Sequence, residues 1–175
     1  MKRQRVKSLP SQNKPQGNGL PSSRQSHNIE KARGYAFLLL KFRLRSEAEL
    51  FSRLKQKGFS EELSQSTISF LKAKKFIDDR IFAKGWVVSR LKRPFGLRRI
   101  KQELLAKGLD KEIIDGTLSE AKNGYDEIQV AGQLARQRFS RQKGIEPQKA
   151  KLRVYAYLLR RGFSPDIVSG IIKQL

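Results

Sequence analysis

The sequence predicts an all-α protein: an elongated, curved array of three tandem three-helix repeats behind a disordered N-terminal tail. Three observations predict it. From Glu30 onward every segment has the apolar spacing of a helix, and none alternates like a strand. One pattern of residue classes recurs three times, at intervals of 50 and 54 residues. Residues 1–29 hold Pro10, Pro15, Pro21, Gly17 and Gly19 among many Ser, Gln and Asn, with almost no large apolar residue. Such a segment cannot bury enough surface to offset its chain entropy. The units are read as 1–29 basic tail, 30–76 repeat 1, 77–124 repeat 2 and 125–175 repeat 3.

The repeat is anchored on Gly58, Gly108 and Gly162. Eight residues before each stands Leu50, Ile100 or Val154, and four before stands Leu54, Leu104 or Leu158. These pairs lie one turn apart on one helix face. The residue before each glycine is Lys57, Lys107 or Arg161, a cation suited to the negative end of a helix. The glycine can take the left-handed conformation that closes a helix. Phe59, Leu109 or Phe163 then packs across the turn, and Ser60, Asp110 or Ser164 caps a second helix. Leu63, Ile113 or Ile167 and Ile68, Leu118 or Ile172 complete the apolar face of that helix.

A further helix precedes each hairpin. Lys31 to Arg43 carries Tyr35, Leu38, Leu39 and Phe42. Asp79 to Leu91 carries Ala83, Trp86, Val87 and Leu91. Asp126 to Arg141 carries Ala131, Leu134, Ala135 and Phe139. Ser46-Glu47-Ala48-Glu49 reads as a capping box opening the first hairpin. Pro147 and Pro165 stand where helices start. A unit near 50 residues has a thin core, so stacked units that share cores are expected.

Composition narrows the function. The chain has 175 residues, 38 Lys+Arg and 16 Asp+Glu, for a net charge of +22. That excess favours a polyanionic partner. It is distributed as +6 over 1–29, +6 over 30–75, +4 over 76–125 and +6 over 126–175. Cysteine is absent and His27 is the single histidine, so disulfides, thiol chemistry and Cys-based zinc sites are excluded. The mean hydropathy of −0.59 and the six-residue limit on apolar runs argue against a membrane span. No apolar stretch follows the basic Met1-Lys2-Arg3, so a cytoplasmic location is expected.

Chemistry-bearing candidates are few. Asp78-Asp79 is the one adjacent aspartate pair, and a helix cap with dipole-complementing charge explains it without catalysis. Phe95-Gly96-Leu97-Arg98-Arg99-Ile100 opens a helix and lacks the rest of a P-loop, yet such a helix start can receive a phosphate or carboxylate. Trp86 is spaced for a buried stripe with Arg90 at its edge. Of Tyr155 and Tyr157, one is expected in the core and the other is a stacking candidate. Basic clusters stand out: Arg90, Lys92, Arg93, Arg98, Arg99 and Lys101 in the middle, then Arg136, Arg138, Arg141, Lys143, Lys151, Arg153, Arg160 and Arg161. Basic three-helix units also suit direct nucleic-acid binding.

The order Ile77-Asp78-Asp79-Arg80-Ile81-Phe82-Ala83, Trp86, Arg90, Gly96-Leu97-Arg98-Arg99-Ile100-Lys101-Gln102-Glu103-Leu104 and Lys107-Gly108-Leu109 resembles the RecX family of bacterial recombination regulators. Ser46 through Leu50, with Leu54, Lys57, Gly58 and Phe59, is similar to the family's first repeat. The resemblance covers residues 30–175. It implies tandem three-helix repeats and a protein that binds RecA and its filament on single-stranded DNA. It implies modulation, mostly inhibition, of ATP hydrolysis, strand exchange and coprotease action during DNA repair, recombination and the SOS response. Some family members also bind DNA.

Occupancy of a filament needs no nucleophile, metal or cofactor, so a monomeric, non-enzymatic binder without cofactors is expected. Arg90, Lys92, Arg93, Arg98, Arg99 and Lys101 are assigned the middle contact with RecA or DNA. Arg136, Arg138, Arg141, Lys151, Arg153, Arg160 and Arg161 are assigned the C-terminal one. The alternatives are a stand-alone DNA- or RNA-binding protein and a nuclease using Asp78 and Asp79.

Overall fold

A computed structural model describes residues 23–175. They form nine helices: α1 (Ser23–Phe42), α2 (Glu47–Gln56), α3 (Glu61–Ala73), α4 (Asp79–Leu91), α5 (Leu97–Ala106), α6 (Lys111–Lys122), α7 (Glu127–Ser140), α8 (Pro147–Arg161) and α9 (Pro165–Lys173). The tail reading falls on residues 1–22, which lie outside the described residues. Ser23 to Ile29, placed in the tail by composition, instead form the first turns of α1.

Helices pack in successive triads, α1–α3, α4–α6 and α7–α9, and each triad has its own core. The six anchor positions of the sequence pattern explain why. Leu50, Leu54, Ile100, Leu104, Val154 and Leu158 are all fully buried. Burying such a side chain stabilises by about 1.5–3 kcal/mol. Around them lie Ala32, Ile68 and Leu71 in repeat 1, Phe82, Val87 and Ile114 in repeat 2, and Ala131, Phe163 and Val168 in repeat 3.

The turns follow the residues that form them. Gly58, Gly108 and Gly162 have φ of 97°, 75° and 90°, the left-handed region. The Ser60 and Ser164 hydroxyls accept N–H bonds from Leu63 and Ile167. Asp110 occupies the matching place without a side-chain cap bond. Asp78 caps α4 by accepting from the N–H groups of Arg80 and Ile81 at 2.7 and 3.2 Å. Pro147 and Pro165 stand at the first positions of α8 and α9.

Candidate binding face and repeat junctions

The three cores are separate, so the junctions between repeats fix how the surface is laid out. Two junctions are built alike. At the first, the buried Ser46 hydroxyl, capping α2, donates to the Lys107 carbonyl at the end of α5 at 2.7 Å. The next residue, Glu47, donates its N–H to Asp79 Oδ1 at the start of α4 at 2.9 Å. At the second, the Gly96 N–H, capping α5, donates to the Arg161 carbonyl at the end of α8 at 3.0 Å. The next residue, Leu97, donates its N–H to Glu127 Oε1 at the start of α7 at 2.9 Å. In both, the free first donor of a middle helix receives a carboxylate from the following repeat.

This geometry sorts the acidic residues. Asp78 caps its own helix as expected. Its neighbour Asp79 caps α2 of the preceding repeat, so the pair is divided between two helices rather than converged on one centre. Burial raises the pKa of both Asp79 and Glu127, partly offset by the N–H each accepts. Half of the expected capping box forms. Ser46 accepts the Glu49 N–H at 3.1 Å, while the Glu49 carboxylate turns to Arg43 and Lys107. At the α5 start, read as able to receive an external anion, the Gly96 and Leu97 N–H groups are taken by the protein's own Arg161 carbonyl and Glu127 carboxylate. Pro147 opens α8 without an N–H, so that helix presents no such donor.

Close backbone packing completes each contact. A β-carbon on Gly108 would lie 2.4 Å from the Ala48 β-carbon, and one on Gly162 would lie 2.1 Å from the Arg99 β-carbon. Tyr125 adds a bond from its hydroxyl to the Phe95 carbonyl at 2.8 Å, and burial pushes its pKa up to about 12.

A ladder of cations, rings and carboxylates crosses both junctions. Arg138 and Arg161 lie on the Tyr157 ring, 5.2 and 5.3 Å from its centre. Arg161 and Arg99 lie on Phe95 at 5.2 and 4.3 Å. Glu103 accepts from Arg99 at 3.0 Å, from Arg90 at 2.5 Å and from the Trp86 indole N–H at 3.0 Å. Arg90 and Lys107 lie on the Trp86 ring at 4.3 and 5.0 Å. Lys107 reaches Glu49 in repeat 1, which also holds Arg43. Burial alone would raise the Glu49 carboxyl, but hydrogen bonds and charge from Arg43 and Lys107 outweigh it and hold the pKa at about 2. Glu103 is likewise lowered, against burial, by Arg99 and Arg90. Cation–ring contacts of this kind contribute roughly 0.5–2 kcal/mol each.

The ladder divides the predicted contact residues. Arg90, Arg99, Arg138 and Arg161 belong to it: Arg161 and Arg99 meet across the second junction, while Arg90 and Arg138 make their contacts within repeats 2 and 3. Lys101 pairs with Asp115 at 2.6 Å. Lys92, Arg93, Arg98, Arg136, Arg141, Lys151, Arg153 and Arg160 make no salt bridge to a carboxylate among the described residues. Arg153 meets only the Gln142 side-chain oxygen, at 3.4 Å. All of them except Lys151 are exposed. Trp86 is half-buried against the repeat 2 core, in line with its spacing. Tyr155 and Tyr157 are both half-buried against the repeat 3 core, so neither stands free as a platform, and the Tyr157 ring is taken by two arginines. Sequence reasoning missed Glu49, Glu103 and Glu127. It reads the cation before each glycine as a helix-end charge and, at Arg161, as a contact residue. At Lys107 and Arg161 that position also supplies the carbonyl and the side chain that bridge the junction.

Among the described residues no cluster of three or more His, Cys, Asp or Glu could hold a metal, and no helix is long and apolar enough to cross a membrane. Three tandem three-helix units, joined by matching junctions and carrying exposed cations without carboxylate partners among the described residues, define a helical-repeat protein. The chain belongs to the RecX family. Residues 32–71, 78–118 and 125–172 match the first, second and third three-helix domains of RecX in turn. The regulatory protein RecX of Chlorobium limicola is 31% identical over 150 residues, covering 85% of this chain and 92% of its own. That of Haemophilus influenzae is 34% identical over 141 residues, covering 80% and 91%. The crystal structure of RecX from Lactobacillus salivarius superposes with a TM-score of 0.73 at 25% identity, covering 86% of this chain and 97% of that one. The chain is thus a RecX-type regulatory protein.

Proposed function

We propose that this protein binds RecA and its nucleoprotein filament and inhibits ATP hydrolysis, strand exchange and coprotease action, working as a cytoplasmic monomer during DNA repair and recombination. The observation that carries the reading is the equivalence of the two junctions. Repeats 1 and 2 are joined through the same helix ends that join repeats 2 and 3, with the Ser46 hydroxyl donating at the first junction and the Gly96 N–H at the second. A chain that repeats one step suits a partner that also repeats, because each unit can meet a successive protomer and the contacts reinforce one another. The unpaired cations Lys92, Arg93, Arg98, Arg136, Arg141, Lys151, Arg153 and Arg160 supply charge for acidic protein surface or phosphate. The protein acts by occupancy, not turnover.

The test adds purified protein to preformed RecA–single-strand filaments and follows ATP hydrolysis. Inhibition below one protein per RecA protomer supports the reading. No effect, together with tight binding to naked nucleic acid, overturns it. The exposed cations favour one second reading, a stand-alone nucleic-acid binder. A protein neutralising about five single-strand phosphates loses about a hundredfold in affinity between 50 and 200 mM salt. That slope on bare oligonucleotide, without filament inhibition, selects the second reading.

A further inference from the structure

α4 has two apolar faces, and only one is used by its own core. Phe82, Ala83 and Val87 are buried in repeat 2. Ile81, Gly85 and Val88 follow at helical spacing along the other side, with Ile81 60% and Val88 58% exposed. Gly85 has no side chain, and Leu44, from the connection between α1 and α2, occupies the space above it. The Leu44 Cδ1 lies 3.9 Å from where a Gly85 β-carbon would stand. Leu44 is itself 54% exposed. One aliphatic strip therefore runs across the first junction, contributed by two repeats. Lys92, one turn beyond Val88, and Arg93 stand at its end without carboxylate partners among the described residues.

We infer that Leu44, Ile81 and Val88 form a docking patch for an acidic protein surface that presents an apolar side chain. The inference deepens the filament reading and rests on it. Charge and chemistry select this occupant. A second copy of this chain would bring like charge against like, at +22 on each. Nucleic acid would meet branched aliphatic side chains, which offer no aromatic face for a base. An acidic protein surface satisfies both the aliphatic strip and the cations at its end. The patch adds to binding a component that salt does not screen.

The test compares wild type with Leu44→Gln/Val88→Gln in the full chain. A second variant, Ile81→Gln/Val88→Gln, leaves the Leu44 contact in place and substitutes only exposed helix positions, where Gln is a better helix former than Ile or Val. Affinity is measured for preformed RecA–single-strand filaments, for a bare oligothymidylate and for anionic lipid vesicles, at low and moderate salt. Both variants are expected to lose about tenfold or more on filaments, to stay within about twofold on oligothymidylate, and to show a steeper salt dependence on filaments. Unchanged filament affinity in the Ile81→Gln/Val88→Gln variant overturns the inference. So does an equal loss on oligothymidylate, or a loss confined to vesicles. A wild-type chain that does not bind filaments removes the filament reading itself, and the patch with it.

Discussion

Gly96 and Gly162 meet backbone to backbone across the second junction. A β-carbon on Gly96 would fall 2.2 Å from the Gly162 carbonyl carbon and oxygen. The Gly96 backbone, at φ −71° and ψ 148°, is one that any residue adopts. The glycine is required there by contact alone.

Gly96→Ala is therefore expected to part repeats 2 and 3 while leaving each repeat folded. The cost is about 1–3 kcal/mol, the range for forcing a methyl into a filled space. Helical circular dichroism should be retained while the radius of gyration rises in X-ray scattering. Gly58→Ala is the contrast. Its β-carbon meets nothing, but φ is 97°, so it should cost about 1–2 kcal/mol of backbone strain and leave the shape alone. If Gly96→Ala leaves the scattering profile unchanged, the close contact does not set the junction.

Arg98 and Arg99 are adjacent and should respond differently to reversal. Arg98 is exposed with no carboxylate partner among the described residues, whereas Arg99 pairs with Glu103, lies on Phe95 and packs under Gly162. Arg98→Glu should shift stability by no more than about 0.5 kcal/mol and weaken filament binding. Arg99→Glu should lower the unfolding midpoint as well, because it sets a negative charge against Glu103. Denaturant titration of the two variants beside filament binding separates the roles. Equal stability loss would refute the division.

Asp79 combines a cap with an unfavourable burial. Its folded pKa lies above its ordinary value of 3.8, chiefly through burial, so the folded state takes up a proton before the unfolded state does. The charge thus lowers stability at neutral pH, and that loss is recovered as pH falls through the raised pKa. Asp79→Asn keeps the acceptor for the Glu47 N–H without the charge. It should match or exceed wild type at pH 7, with the difference shrinking as pH falls toward about 3.8. Asp79→Ala leaves the N–H unpaired and should cost about 1–3 kcal/mol. Chemical denaturation across pH 3.5–7 checks both.

Glu49 has the opposite sign. Its folded pKa of about 2 lies below the ordinary 4.5, so its stabilisation is present above about pH 4.5 and is lost as pH falls toward 2. Glu49→Gln should be less stable than wild type at pH 7 and converge on it near pH 2. A gap that stays constant over that interval would mean Arg43 and Lys107 do not hold the charge.

Much of the fold was legible because the repeat is written in side chains that must be buried or must turn the chain. Leu50, Ile100 and Val154 align on the three glycines, and all are fully buried. The α4 limits, Asp79 and Leu91, follow from its capping aspartate and its apolar spacing. The site was less legible because a basic residue looks the same in sequence whether it faces solvent or a carboxylate 50 residues away. Arg99 differs from Arg98 locally in having Glu103 four residues on, where Arg98 has Gln102, but its contacts with Phe95 and Gly162 are not local. Nor does spacing disclose that Asp79 serves a helix of the preceding repeat, since the hydrogen bond joins residues 32 apart. The cation before each glycine recurs in all three copies, and in two of them, Lys107 and Arg161, it also spans a junction.

The direction of the junction bonds has a consequence for biosynthesis. The Glu47 N–H is satisfied by a residue translated 32 positions later, and the Leu97 N–H by one 30 positions later. As the chain leaves the ribosome, each middle helix emerges with an open donor that only the following unit can close. The first junction needs no residue beyond Lys107, so it can close before the partners of the second, Glu127 and Arg161, are made. Pro147, lacking the donor, leaves α8 with no such bond to close.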